Sequence, residues 1–540
     1  MRWNMRAKSE PGAVHKPERK SLFNIIETPI PFAAKMALLA YVIVYRVLTP
    51  PVAALLSGEN LDFSFPRIVV TGALELLLAA PILFGKKIGL LHPLAFPLVF
   101  AIAFNVIFSP MHLVFPFVLS AKLFIATPQS WSVLLRSLSA EDYAQYHTML
   151  AFAGVLFWGA VFLGFRIGDA FRTVEAPDIA DRKKVSRLAV VWVALAIGFA
   201  VLFILSRGGV AAQISSFRLG RYVTYQGLGF AGVILKSAGI CLLLWAAYDA
   251  KAFRRPVFLA FAALLVPLYF LIDGSRTGVL LLLLSLGMLA CFRLGRIPVT
   301  AAAGMAAFAV AAVGALGMVR QDYHATSFDA AVLSPERIGE WIDASREETL
   351  KREAEEGDLA AFVAANERGL LWGRTYLSVL AFPVPRAIWA EKPKNVFTYT
   401  AWIAFLGNDA DTLAPSIWGI PTGPVAESFW NFSWAGPPVV GFGVGIFFGW
   451  LTALFRRNPD VGWIAVLYLL SLLYFSGGSR AALYWVQYVA ELIFFLALIK
   501  WLPEVSTYRR ESRAPYRDLR LNSRLTAQRD VRERGVGRRR

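Results

Sequence analysis

PVFLAFAALLVPLYFLIDGSRTGVLLLLLSLGMLACFR, residues 256–293, decides the fold. Two apolar runs, 256–272 and 277–293, flank the polar turn Asp273-Gly274-Ser275-Arg276. Neither run holds a charge before Arg293, and Arg254, Arg255 and Arg296 stand just outside them. A helix needs about 20 apolar residues to cross the hydrocarbon of a bilayer. There every backbone polar group must pair within the helix itself. The segment therefore reads as two membrane-spanning helices joined by a tight turn, with arginines anchoring the far ends.

The same reading extends over the chain. Apolar residues make up 57% of its 540 positions and charged residues only 17%, with 16 Trp and 41 Phe. No soluble core could bury that much apolar surface and keep a polar exterior, so lipid is the solvent. The stretches that qualify as spans lie near 32–55, 67–84, 88–108, 148–168, 188–206, 229–249, 256–272, 277–293, 299–319, 437–455, 461–476 and 481–501, about twelve in all. A further apolar run at 111–126 holds Lys122 and reads as re-entrant or interfacial rather than spanning. Residues 1–30 are too polar for a signal-peptide core, so the first span is expected to be an uncleaved anchor.

The formal charge of +18 resembles a nucleic-acid signature until it is located. The excess sits in the N-terminal segment, in short loops and in the tail after Trp501, where the positive-inside rule puts Lys and Arg. No nucleic-acid partner is expected. Cys241 and Cys291 lie singly in apolar runs and imply neither a disulfide framework nor a zinc site.

With the N-terminus inside, the inner loops collect Lys86, Lys87, Arg172, Arg182, Lys183, Lys184, Arg187, Lys251, Arg254, Arg255, Arg293, Arg296, Arg456 and Arg457. Both termini are then cytoplasmic, in a multi-pass protein of the plasma (inner) membrane. The expected organisation is a basic N-terminal segment 1–31, transmembrane helices 1–9 over 32–319, a large outer loop 320–436, helices 10–12 over 437–501, and a basic tail 502–540.

The long loop is acid-rich first, then aromatic- and proline-rich. Ser334-Pro335-Glu336 reads as a helix start, and Glu347/Lys351 and Glu348/Arg352 are favourable i,i+4 pairs. Helices over about 335–356 and 358–369 are expected, the acidic half presenting a solvated amphipathic face. Gly441, Gly445 and Gly449 form overlapping GxxxG steps that read as close helix packing.

Several arginines occupy the outer side, against the orientation rule: Arg207, Arg218 and Arg221 in one loop, Arg276 and Arg480 in two Ser-Arg hairpin turns, and Arg374 and Arg386 in the long loop. Singly, each could contact headgroups or cap a hairpin. Collectively they suit a phosphate or diphosphate, which guanidinium groups grip through planar bidentate hydrogen bonds. Arg386, Trp389 and Lys392 recur at a three-residue interval within Phe382–Pro393, so one helical turn would project cation, ring and cation from one face. A rigid surface turn would share that pattern.

Pro385-Arg386-x-x-Trp389-x-x-Lys392-Pro393 resembles the signature of the O-antigen polymerase (Wzy-type, oligosaccharide repeat-unit polymerase) family. Glu427-Ser428-Phe429-Trp430-Asn431-Phe432, followed by Gly436, resembles that family's glutamate motif before a Gly-rich span. The span count, large outer loop and Ser-Arg hairpins resemble it too. Arg218 and Arg346 also precede Gly229 and Gly357 at a spacing described for two outer loops in some members, and Arg221 precedes Gly232 likewise, a pattern frequent enough by chance to weigh little.

The resemblance implies an all-α membrane glycosyltransferase of GT-C-like fold, working on the periplasmic face. It implies a donor glycan on polyprenyl diphosphate and a second lipid-linked repeat unit as acceptor, in O-antigen or exopolysaccharide synthesis. A flippase and a chain-length regulator would be partners, with the bilayer itself. Arg386 and Glu427 are the candidate catalytic groups, with Asp273 and His324 behind Glu427 as bases. Glu427 could equally cap or hydrogen-bond where the chain re-enters the membrane. Arg276, Arg374, Trp389, Lys392, Arg480, Arg218 and Arg221 would bind substrate. No cofactor or metal is expected: His15, His92, His112, His147 and His324 are scattered, and Glu59 and Asp62 read as a solvated turn. Two other readings share these features. An O-antigen ligase would use the same donor, and a polysaccharide or lipid transporter would use the intramembrane charges Arg46, Glu75, Lys236 and Glu491.

Overall fold

The computed structural model describes residues 24–48, 52, 65–108, 132–173, 175–178, 182–216, 229–273, 276–295, 353–382, 384, 388–409, 420–474 and 478–501. Among these the secondary structure is entirely helical. Its principal helices are α1 (Phe32–Tyr41), α2 (Phe65–Phe84), α3 (Phe96–Phe108), α4 (Ala140–Asp169), α5 (Arg182–Ser206), α6 (Gly209–Ser216), α7 (Gly229–Tyr248), α8 (Pro256–Asp273) and α9 (Arg276–Leu294). Then come α10 (Glu353–Glu367), α11 (Arg374–Leu380), α12 (Pro424–Phe432), α13 (Gly436–Arg457), α14 (Gly462–Tyr474) and α15 (Ser479–Trp501). Among the described residues, five helical segments are long and apolar enough to cross a membrane: Glu141–Asp169, Arg182–Ser206, Phe230–Tyr248, Pro424–Arg457 and Ser479–Trp501. Shorter apolar helices accompany them, Pro256–Ile272 and Gly278–Leu294 among these.

Helix α5 shows how the bundle meets its surroundings. It buries Ala189, Val193, Ala196 and Ala200 and exposes Val191, Leu195, Leu202 and Leu205. A helix with small residues inward and large aliphatic ones outward is apolar all round, as contact with hydrocarbon requires. Helices α4 and α13 pack closest. A Cβ on Gly441, Gly445 or Gly449 would lie 2.3, 2.1 or 2.2 Å from the carbonyl oxygens of Phe157, Val161 and Phe165. Gly164 and Gly168 face Phe442 and Ile446 as tightly, so the GxxxG steps are a backbone-to-backbone seam.

The basic connections gather at one end of the bundle. Arg182 and Arg255 both pair with Asp249, the latter at 2.7 Å. Arg456 reaches Glu27 and Asp169 at 2.9 Å each, and Arg293 Nε donates to Ala246 O at 3.0 Å. Burial pushes the Asp249 carboxyl up. The Lys251 N–H and the two guanidinium groups outweigh it and hold the carboxyl below its ordinary range.

Three expectations are corrected. The span expected over 88–108 begins as helix only at Phe96, because Gly89 and Pro93 keep residues 86–95 in turns. The break expected at Gly357 is absent: α10 runs through it, since Gly357 lies against the backbone of Pro421, where a Cβ would stand 2.1 Å from its carbonyl oxygen. Nor is the described part of the acidic half a solvated face. Leu359, Phe362 and Val363 are buried, in a second core with Leu134, Leu135, Ile403, Phe429 and Trp430. The expected span 299–319 and most of the expected helix 335–356 lie outside the described residues.

Candidate functional site

The site forms at the end opposite the basic connections, where α12 meets the start of α15. Helix α12 opens with Gly423 as its cap and Pro424 at its first position, which fixes φ where no N–H is needed. The Asp358 carboxylate on α10 accepts from the Gly423 N–H. This start places Glu427 in the first turn, facing inward and fully buried. Glu427 Oε2 accepts from the Ser479 N–H at 2.8 Å. Ser479 is the first residue of α15, so the carboxyl accepts from one of the unpaired N–H groups at a helix start. Gly478 allows this approach: a Cβ there would lie 3.3 Å from the same oxygen.

Asn431, one turn beyond Glu427, is also fully buried. Its Nδ2 donates to Glu427 O and to Thr375 Oγ1, both at 2.8 Å, which ties α12 to α11. The Tyr376 ring stacks on Phe432 at 5.9 Å. Burial, then the nearby Glu427 carboxyl, push the Tyr376 phenol well above its ordinary range.

Arg480 follows Ser479 directly. Its Nη2 donates to Tyr484 Oη at 2.7 Å, and its guanidinium lies 4.8 Å from the Tyr484 ring centre and 5.3 Å from that of Phe397. Its Nε is buried and finds no acceptor among the described residues. Lys236, on α7, sets its ammonium 5.2 Å from the centre of the same Tyr484 ring. Two cations thus share one aromatic ring, and Arg480 follows the residue that the Glu427 carboxyl caps.

Of the residues expected from sequence, Glu427 bonds the backbone of Ser479, the residue before Arg480. Arg374 opens α11, the helix that carries Thr375 and packs against α15, and its side chain is exposed. Trp389 is partly exposed, and its carbonyl oxygen accepts from the Lys392 N–H at 3.3 Å, closing a turn. Lys392 Nζ donates to Val384 O at 2.8 Å and Phe382 O at 3.4 Å, and the expected cation–ring–cation face, which includes Arg386, lies outside the described residues. Arg276 begins α9, but its side chain, like that of Asp273, lies outside the described residues. Arg386, Arg218, Arg221, His324, Glu59 and Asp62 lie outside them altogether.

Sequence reasoning missed Thr375, Phe397 and Tyr484 and gave Lys236 no place at this site. The spacing of Glu427 and Asn431 on one helix face was the only available pointer to the network. No family model, curated protein or solved structure matches the chain.

Proposed function

We propose that this protein is a polymerase of lipid-linked oligosaccharide repeat units, with about twelve spans in the inner membrane, both termini cytoplasmic and the site on the periplasmic face. The observation that carries the reading is the bond from the N–H of Ser479 to the Glu427 carboxyl, which brings that carboxyl to the helix start where Arg480 follows in the chain. In this reading the acceptor hydroxyl oxygen attacks the anomeric carbon of the donor glycan and gives its proton to Glu427. The bond from that carbon to the diphosphate oxygen breaks, and polyprenyl diphosphate leaves with the electron pair. Arg480 and Lys236 are placed to offset the charge that gathers on the leaving group. The Ser479 N–H and the start of α15 support the ionised carboxyl against its burial.

Purified protein in liposomes, given lipid-linked repeat units, should elongate them, and should do so in the presence of a chelator. Strict dependence on added magnesium or manganese would return attention to Glu59 and Asp62. Failure of Glu427→Gln to slow elongation would remove the carboxyl from the reaction.

A further inference from the structure

Around α11 the chain exposes large apolar side chains in a segment that the sequence assigns to an aqueous loop. Trp372, Leu380 and Ile388 are 77%, 78% and 79% exposed. Leu377, on the same helix as Leu380, is exposed too. Trp372 also adopts φ 51°, a left-handed conformation that costs a bulky residue free energy. That turn is pinned by Leu371 N donating to Trp430 O at 2.9 Å and Arg374 N to Leu371 O at 3.0 Å. A strained turn that holds an indole out in water would lose on both counts, so something apolar covers it.

We infer that this patch is embedded in the outer leaflet of the bilayer, so that α11 and the turn at Ile388 form a membrane-immersed apron rather than part of a solvated loop. The argument for lipid is continuity with the spans. Phe152, exposed on the apolar helix α4, meets the Trp434 ring edge-on at 5.8 Å. Beside Trp434, at the junction of α12 and α13, Phe432 is partly exposed and stacks on Tyr376 of α11. Trp372 comes next: a Cβ on its neighbour Gly373 would touch the Phe432 ring at 3.3 Å. One apolar surface therefore runs from the side of a span onto α11. Arg374 and Lys392 lie beside it, and Trp with flanking cations is the composition of a headgroup boundary.

The apron stands whichever reaction the site performs. Its consequence is that the Glu427 and Arg480 site lies at the level of the lipid headgroups, where a lipid-borne anion would arrive from the side.

Leu380→Cys and Ile388→Cys, labelled with an environment-sensitive fluorophore in liposomes, test the inference. Arg368→Cys, at an exposed polar position, is the control. The unsubstituted chain, with Cys241 buried and Cys291 partly buried, gives the labelling background. Labels at 380 and 388 should be blue-shifted and quenched several-fold more by lipids with a nitroxide high on the acyl chain than the label at 368. If Leu380→Cys does not fold, Leu377→Cys replaces it. Equal, weak quenching at all three positions, with quenching by aqueous iodide, would overturn the apron. So would shielding from both quenchers together with cross-linking between chains, which would show that a second copy covers the patch.

Discussion

Glu427 carries two duties that substitutions can separate. It caps α15 through the Ser479 N–H, and it is the proposed base. Gln keeps an acceptor for that N–H, so Glu427→Gln should insert and melt close to the native protein while losing elongation. Ala leaves a buried N–H without a partner and should cost about 1–3 kcal/mol of stability as well. Arg480→Lys should retain a cation near Tyr484 but lose the planar fork, weakening lipid-diphosphate binding more than stability, as ligand titration would read. Asp249 gives the pH dependence at the opposite end. Its folded carboxyl is held below the ordinary range, so the stabilisation is present at neutral pH and lost as pH falls through the folded value. Asp249→Asn should therefore cost about 1–2 kcal/mol at neutral pH, since both arginines are half-exposed and screened, and the difference should vanish in acid.

Among the elements, the α4–α13 seam makes the sharpest steric demand. Gly445→Ala sets a methyl against Val161 O and should cost about 1–3 kcal/mol in thermal melts, as overpacking does. Gly443→Ala on the same helix meets nothing within 4 Å and should be neutral or gain up to about 1 kcal/mol from helix propensity. That contrast was half legible: the glycine spacing announced a seam, but which glycines face it depends on the partner helix. Apolar runs marked the helices because burial in lipid demands them. Gly357 was misread because a glycine that breaks an isolated helix is also the residue that admits a close neighbour, here Pro421. The spacing of Arg386, Trp389 and Lys392 has meaning only where the backbone is helical, and Arg386 lies outside the described residues.

For the whole molecule, alternation of apolar and basic segments was enough to foresee that the basic connections share one end, because each span must reverse direction. The site was not foreseeable as a unit. Glu427 and Ser479 lie 52 positions apart, and only the return of α15 joins them. Reporter fusions should place Ala180 and Ala252 inside and Leu350 outside, and an inside signal at Leu350 would reverse the orientation on which the periplasmic site depends. The central claim is tested most directly by the lipid-linked glycans of a strain lacking this protein. The account predicts single repeat units still made, flipped and, where a ligase exists, attached to their acceptor, with long chains absent until the gene is restored. Long chains stranded on the lipid carrier would contradict it and indicate a ligase, and single units trapped on the cytoplasmic side would contradict it and indicate a transporter.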